Sequence, residues 1–228
     1  MATIQLAGNG FGGVVQGNFG NYQAGTDGTF TVDTRDAPPL IAQGMAYTGH
    51  TNTSYTLPKA PAAATIGAVV ASGALSNGTV ALTANPDVMR PVNVEVGTGT
   101  TAITAGTVAV TYVGNDGLSG TDTLSLVCAL STAVTQALSR GVVTISGISV
   151  AGVVGGTSPW LRLSTTAAVS VPVDPGAVDF AVTREYDAGA TIAVGTLSTA
   201  TLGSLTPTTA PNATVTYSFA YSYTSPTF

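Results

Sequence analysis

The sequence predicts an all-β protein: a β-sandwich of immunoglobulin-like or jelly-roll topology, preceded by a glycine-rich N-terminal arm and a small N-terminal module. Three observations predict it. Val92, Val94 and Val96 alternate with Asn93 and Glu95, the period of two that buries one face of a strand and wets the other. Thr107 to Val113 alternates again, and Gly114-Asn115-Asp116-Gly117 then supplies turn residues before Leu124 and Leu126 alternate with Thr121, Thr123 and Ser125, which reads as a β-hairpin. Near the end of the chain, Val215, Tyr217, Phe219, Tyr221 and Tyr223 fall on one side of a strand whose other side is small and hydroxylic. That aromatic face is too large for solvent, so it belongs in the core or against a partner.

Taken in order, residues 1 to about 21 are rich in Gly and Asn and carry Phe11 and Phe19. A segment that loses so much backbone entropy on ordering reads as an arm, its two phenylalanines either anchors for a neighbouring subunit or tucked into their own domain. A turn at Gly25 to Gly28, a strand from Thr29 to Asp33 and a helical turn follow, with Asp36 as its cap, Pro38 and Pro39 at its start and Gly44 at its end. The module closes at residue 58. The polar run around His50 and the small-residue stretch 59–77 read as linker, and 78–228 as the sandwich.

Ser131 to Arg140 is either a short helix or an extended crossover. Val142 to Ile145 and Ile148 to Val150 are two short strands or one bent at Gly147. Leu161 and Leu163 share a face beside Trp160, which reads as core or subunit interface; Pro172 marks an edge strand at Val169 to Val173; Val178, Phe180 and Val182 repeat the period, and Ile192 and Val194 form a shorter element.

Charged residues make up 7% of the 228, against about a quarter in an ordinary globular protein, while there are 28 glycines. The expected surface is polar through hydroxyls. A net charge of −5 with scattered Lys and Arg offers no basic stripe, which argues against nucleic-acid binding. The N-terminus reads without a secretory signal, and the apolar run 60–75, interrupted by Pro61, Gly67 and Gly73, is too short for a membrane helix.

Chemistry is sparse. One His and one Cys stand about eighty residues apart without a context for nucleophilic catalysis, and Cys128 reads as a small buried apolar residue. A glycosidase needs two carboxylates, for which Glu95, Glu185 and Asp187 are the candidates, although Arg184 to Asp187 reads as a polar turn. Asp116 and Asp122 lack the ligand ladder of a calcium loop. The Asn-x-Ser/Thr triplets at Asn52, Asn77 and Asn212 read as turn signals. The expectation is a non-enzymatic protein with no catalytic residue, cofactor or metal.

The segments TANPDVMRPVNVEV, TAGTVAVTYVGNDGLSGTDTLSL, GISVAG, WLRLST and SLTPTTAPNATVTYSFAYSY, in that order, resemble a recurrent β-sandwich of tailed-bacteriophage structural proteins over roughly residues 78 to 228, with Ala213 where that pattern has Gly. The strand, turn and Asp-Pro-Leu-Ile-Gly segment of 22–47 is similar to short modules of the same virion proteins. The resemblance implies a virion structural protein, made in the host bacterial cytoplasm, that decorates or cements the capsid across neighbouring shell subunits; alternatives are a neck, collar or tail component, or a receptor- or glycan-binding module. The expected partners are capsid or neck subunits and copies of the chain itself, with a trimer favoured and neither nucleic acid nor membrane involved. Phe11, Phe19, Trp160, Tyr221 and Tyr223 are the candidate subunit contacts.

Overall fold

The computed structural model describes residues 3–7, 14–24, 29–33, 35, 36, 39, 40, 43, 46, 47, 50–174, 177, 179–187, 190–192, 195–197 and 201–224. The strands are β1 (Thr3–Ala7), β2 (Val14–Gln16), β3 (Asn21–Gln23), β4 (Thr29–Asp33), β5 (Ala46–Tyr47), β6 (His50–Thr56), β7 (Val70–Ala74), β8 (Gly78–Thr79), β9 (Val92–Gly97) and β10 (Ile103–Gly114). They continue as β11 (Ser119–Ser125), β12 (Val134–Ala137), β13 (Val142–Gly155), β14 (Trp160–Thr165), β15 (Val169–Ser170), β16 (Asp179–Asp187), β17 (Ala190–Ile192), β18 (Thr196–Leu197), β19 (Ser204–Thr206) and β20 (Tyr217–Thr224). The protein is all-β, and its named strands pair antiparallel.

Two four-stranded sheets, ordered β11-β10-β13-β8 and β12-β9-β14-β7, turn their apolar faces onto one core. The alternation read in the sequence supplies it directly: Val92, Val94 and Val96 from one sheet meet Val108, Val110 and Tyr112 from the other. Cys128 is buried here, and the Ile103 and Cys128 backbones exchange hydrogen bonds. The GNDG segment closes the β10-β11 hairpin with Gly117 at φ +76°, a conformation that suits glycine. Val142 to Val150 is one strand, its register against β10 shifting where Gly147 pairs with Thr111, a bulge that lets a 14-residue strand bend over the core. Ser131 to Arg140 takes the extended form: β12 lies along β9, with Val134 opposite Val96.

A second core has its own sheets, β17-β16-β20-β6 and β15-β19-β18. Tyr217, Phe219, Tyr221 and Tyr223 of β20 are buried there with Val169, Val171, Phe180 and Leu205. The sandwich expected at 78–228 is thus two cores in series. β6 departs from the loop expected around His50: it hydrogen-bonds along β20 from Thr56 opposite Ser218 to His50 opposite Thr224. A run of Thr, Asn and Ser has little intrinsic strand signal beyond its β-branched threonines, and a long-range partner decides its state. Likewise, part of the stretch 59–77 is β7, which lies along β14. Val178 and Val194 are outside the described residues.

The N-terminal module contains the sheet β4-β1-β5 and the hairpin β2-β3. The helical turn expected after Asp36 is present, with the Leu40 N–H on the Asp36 carbonyl. The Asp36 side chain goes elsewhere. The positions a cap would serve are Pro38 and Pro39, which have no N–H to give, and the carboxylate instead accepts from the amides of Asn18 and Phe19 and from the Tyr22 hydroxyl, at 2.8, 2.9 and 2.6 Å.

The hairpin turn of the first core plugs into the second. Asn115 is 4% exposed; its side-chain N–H groups donate to the carbonyls of Val171 at 3.1 Å and Leu202 at 2.8 Å, and its own carbonyl accepts from the Val173 amide at 3.1 Å. Gly203, at φ +74°, leaves room for it: a Cβ there would stand 2.6 Å from the Asn115 amide nitrogen. Replacing Asn115 with Ala strands two buried carbonyls, so Asn115→Ala is expected to cost about 3 kcal/mol. Urea unfolding should show a lower midpoint, whereas Asp116→Ala, farther toward solvent, should move it less.

Candidate functional site

A groove of about 640 Å³ lies where the two cores meet, around the Gly114 to Gly117 turn. Its volume is in the range of ligand pockets, which favour such junctions. Tyr55 and Pro58 border it from the N-terminal side, Asp87 and Met89 from the approach to β9, and Pro172 and Asp174 from the second core. The tyrosines in its wall are mostly spent on packing: Tyr221 is 3% exposed and its hydroxyl donates to the Pro172 carbonyl at 2.6 Å. Burial first, then neighbouring negative charge, raises the pKa of Tyr221, and burial alone raises that of Tyr55.

The carboxylates around the groove hold structure in place. Asp116 accepts the Leu118 amide with one oxygen and Arg140 Nη1, at 2.7 Å, with the other. Arg140 lies across the hairpin where Gly114 and Gly120 have no side chains, and a Cβ on Gly114 would stand 2.8 Å from its Cδ. Asp87 and Arg90 bracket the backbone of one residue: the Ala62 N–H donates to Asp87 Oδ2 at 2.6 Å, and Arg90 Nη2 donates to the Ala62 carbonyl at 2.9 Å. This pins the segment that joins β6 in one core to β7 in the other. Arg90 is fully buried, its Nε and Nη1 make no hydrogen bond among the described residues, and Asp87 Oδ1 at 3.3 Å is what compensates its charge. Burial pushes the guanidinium pKa down and Asp87 opposes it.

The glycosidase candidates are not brought together. Glu95 on β9 pairs with Arg162 on β14, which reaches it through both Nε and Nη2 on the outer face of the first core. Glu185, fully buried in the second core, accepts the amides of Gly195 and Thr208, each at 3.0 Å, and so ties two loops to β16. The polar turn expected at 184–187 is the end of that strand, and the side chain of Asp187 lies outside the described residues. Asp116 and Asp122 also serve separate tasks: Asp122 takes hydrogen bonds from the Tyr112 hydroxyl and from the amide and hydroxyl of Ser139. Burial, the largest of several influences, pushes Tyr112 up to about 12. Asn212 accepts the Thr214 and Val215 amides through Oδ1, the turn role expected of it, whereas Asn77 Oδ1 accepts the amide of Val153, a long-range contact and not a local turn bond. Ala213, in the place where the resemblance has Gly, adopts φ +68°.

Of the candidate subunit contacts, Tyr221 and Tyr223 are in the second core, which resolves the aromatic face of β20 toward the interior of the chain. Trp160 stands on the outer face of the first core, laid over Gly97, with the Arg162 guanidinium 4.8 Å from its ring. Phe19 is 52% exposed, with the Arg35 guanidinium 4.0 Å from its ring centre. Phe11 lies outside the described residues. Compared with known proteins, the chain matches no family model, no curated protein and no solved structure.

Asn115, the Asp87–Arg90 bracket and the Asp36 network escaped the sequence reading. A signal existed for Arg90, one cation among Val88, Met89, Val92 and Val94, since a charge in an apolar run is buried only with a partner. Asp87→Asn leaves the buried guanidinium uncompensated and is expected to cost about 3 kcal/mol, read from the urea midpoint. Acid should act on the N-terminal module through two carboxylates. Arg35, through its side chain and then its amide, holds Asp33 down at about 2; at Asp36, burial pushes up but the Tyr22 hydroxyl and the Phe19 and Asn18 amides outweigh it, and the pKa is lowered. Depressed carboxylates stabilise the fold above their unfolded pKa near 3.8 and lose that contribution as pH falls through the folded value, so for Asp33 the window is pH 4 to 2. Chemical shifts of residues 14–36 should titrate there, and Asp33→Asn should remove the Asp33 part.

Proposed function

We propose that this chain is a non-enzymatic structural protein of a tailed-bacteriophage virion, and that it decorates or cements the capsid by binding across neighbouring shell subunits. The observation that supports this reading best is the outer face of the sheet β11-β10-β13-β8. Its registered rows are Ser119, Val113 and Thr144; Thr121, Thr111 and Gly147; Thr123, Ala109, Ser149 and Thr79; and Ser125, Thr107 and Ala151. These rows carry no charge. Small side chains keep the face low, and the hydroxyls give it donors and acceptors, as in the Thr111–Thr121 contact at 2.9 Å.

Such a face suits a broad protein contact made of many modest interactions repeated by symmetry. Each need not be tight, because a subunit already held at one shell site meets the next at an effective concentration often in the millimolar range. It also suits a contact that long-range charge does little to steer. Arg35, Arg90, Arg140 and Arg162 are each held in an ion pair within the chain, which leaves little free positive charge to direct association.

The test is to strip the protein from particles and add it back at low and high salt, following occupancy and the temperature of genome release. Wild-type protein should restore heat resistance with little salt dependence, whereas Thr123→Lys, which puts a charge in the middle of the face, should lower occupancy at least tenfold. Unchanged heat resistance at full occupancy would remove the cement reading, and full binding by Thr123→Lys would remove this face from it.

A further inference from the structure

We infer that β7 is an open sheet edge that pairs with β7 of a second copy of this chain, antiparallel about a two-fold axis at Gly73. β7 is the outer strand of the sheet β12-β9-β14-β7. Leu75 donates its amide to the Pro159 carbonyl beside β14, so by the alternation of a strand the Ala74 amide points off the sheet, where no further strand lies. Ala71 to Ala74 are exposed, and on that side the Ala71 amide is taken by Thr83 Oγ1 at 3.1 Å. The other edges of the first core are closed by side chains. On β13, Asn85 and Asn77 receive the Ile145 and Val153 amides on either side of the pairing with β8, at 2.6 and 3.1 Å. Across the core, Gln136 of β12 reaches the Ser125 carbonyl of β11, and Asp122 of β11 receives the Ser139 amide. An open edge recognises a strand, because its unpaired backbone groups match those of another extended backbone.

Two features of this edge suit its own copy. No ionisable residue lies between Lys59 and Asp87. A two-fold axis sets each nearby charge against the same charge of the other copy, which is a common block to edge pairing, and β7 carries no such block. A trough of about 430 Å³ runs along β7 with Val80, Ala81 and Thr83 across it, so an incoming strand meets apolar and hydroxyl groups. The other feature is Gly73, for which the chain by itself gives no reason. A Cβ there would meet the Ala71 carbonyl oxygen at 3.7 Å, an ordinary contact, and φ is not left-handed. Glycine inside a strand weakens it and often marks a place where another backbone comes close. On its outer side Gly73 is a non-hydrogen-bonded position, where opposed Cα atoms stand about 4.5 Å apart, so an axis there brings the two glycines to nearest approach. Each Ala74 then lies opposite Ser72 of the other copy. The contact closes as a dimer, in place of the trimer favoured from the sequence, and it uses the edge of one sheet and not the hydroxyl face of the other.

The inference does not rest on the virion reading, because purified chain alone tests it. Sedimentation equilibrium over a wide concentration range is run on wild type and Ala74→Pro, while Gly73→Cys and Ser76→Cys are mildly oxidised and read for covalent dimer. Cys128 is buried and stays out of the reaction. Wild type should form a dimer and nothing larger. Ala74→Pro deletes an amide that faces away from its own sheet, so it should keep the wild-type circular dichroism and urea midpoint yet dimerise at least tenfold more weakly. Gly73→Cys should cross-link at least tenfold faster than Ser76→Cys, because thiols at the axis lie within disulfide reach and those three residues along each strand do not. Should Ala74→Pro fail to fold, the cross-linking rates decide alone. Wild type that stays monomeric throughout would overturn the inference and leave the edge to a strand of another protein. Undiminished dimerisation of folded Ala74→Pro, or cross-linking no faster at 73 than at 76, would overturn it as well.

Discussion

One hydrogen-bonding side chain fixes how the two halves of this protein sit against each other. Asn115 projects from the β10-β11 turn of the first core and satisfies two carbonyls of the second, while its own carbonyl receives the Val173 amide. Backbone groups buried away from water must find partners, and these find theirs in the other core. Around this plug the neighbouring contacts fall into line. The Ser170 amide reaches the Met89 carbonyl, the Thr201 hydroxyl reaches the Leu138 carbonyl, and Arg140 forms a bridge with Leu202. The groove is the space left beside this seam, and its shape depends on the seam holding.

The second organising feature is economy of charge. A chain with so few ionised groups could be expected to scatter them for solubility, yet most of those described are committed to geometry. Asp87 and Arg90 bracket Ala62, Asp116 holds Arg140 across a glycine-lined hairpin, Glu185 ties two loops to a strand, and Asp36 gathers a turn. Asp36, Asp116 and Glu185 each accept two or more hydrogen bonds, and Asp87 accepts one beside its ion pair with Arg90, which is how such groups tolerate burial. The outer face of the sheet β11-β10-β13-β8 is left to hydroxyls and small apolar side chains. A surface of that kind meets another protein surface with little desolvation cost, in line with the structural role proposed for it.

Much of the fold was legible from alternation alone. Period-two burial is a local property: Val92 to Val96, Val108 to Tyr112 and Tyr217 to Tyr223 each announce which face goes inward, because adjacent side chains on a strand point to opposite sides. Asn115 was legible as a turn residue for the same local reason. Its role as a plug was not, since Val171 and Leu202 lie 56 and 87 residues away and nothing in their own sequence marks a carbonyl awaiting a donor. The helix cap expected at Asp36 failed on a point the sequence does contain, the two prolines that follow it.

The sequence by itself determined that the chain is all-β, where most of its core strands run and that its surface is poor in charge, because these follow from composition and from neighbours along the chain. Only the tertiary structure decided that the strands divide between two cores, that the polar run from His50 to Thr56 joins the last strand of the chain, and that Tyr221 and Tyr223 pack inward while Phe19 stays outside. Those outcomes depend on which strand edges meet across more than a hundred residues. A hydrogen-bonded edge accepts almost any sequence that can extend, so the choice of partner is made by the packing of the whole chain.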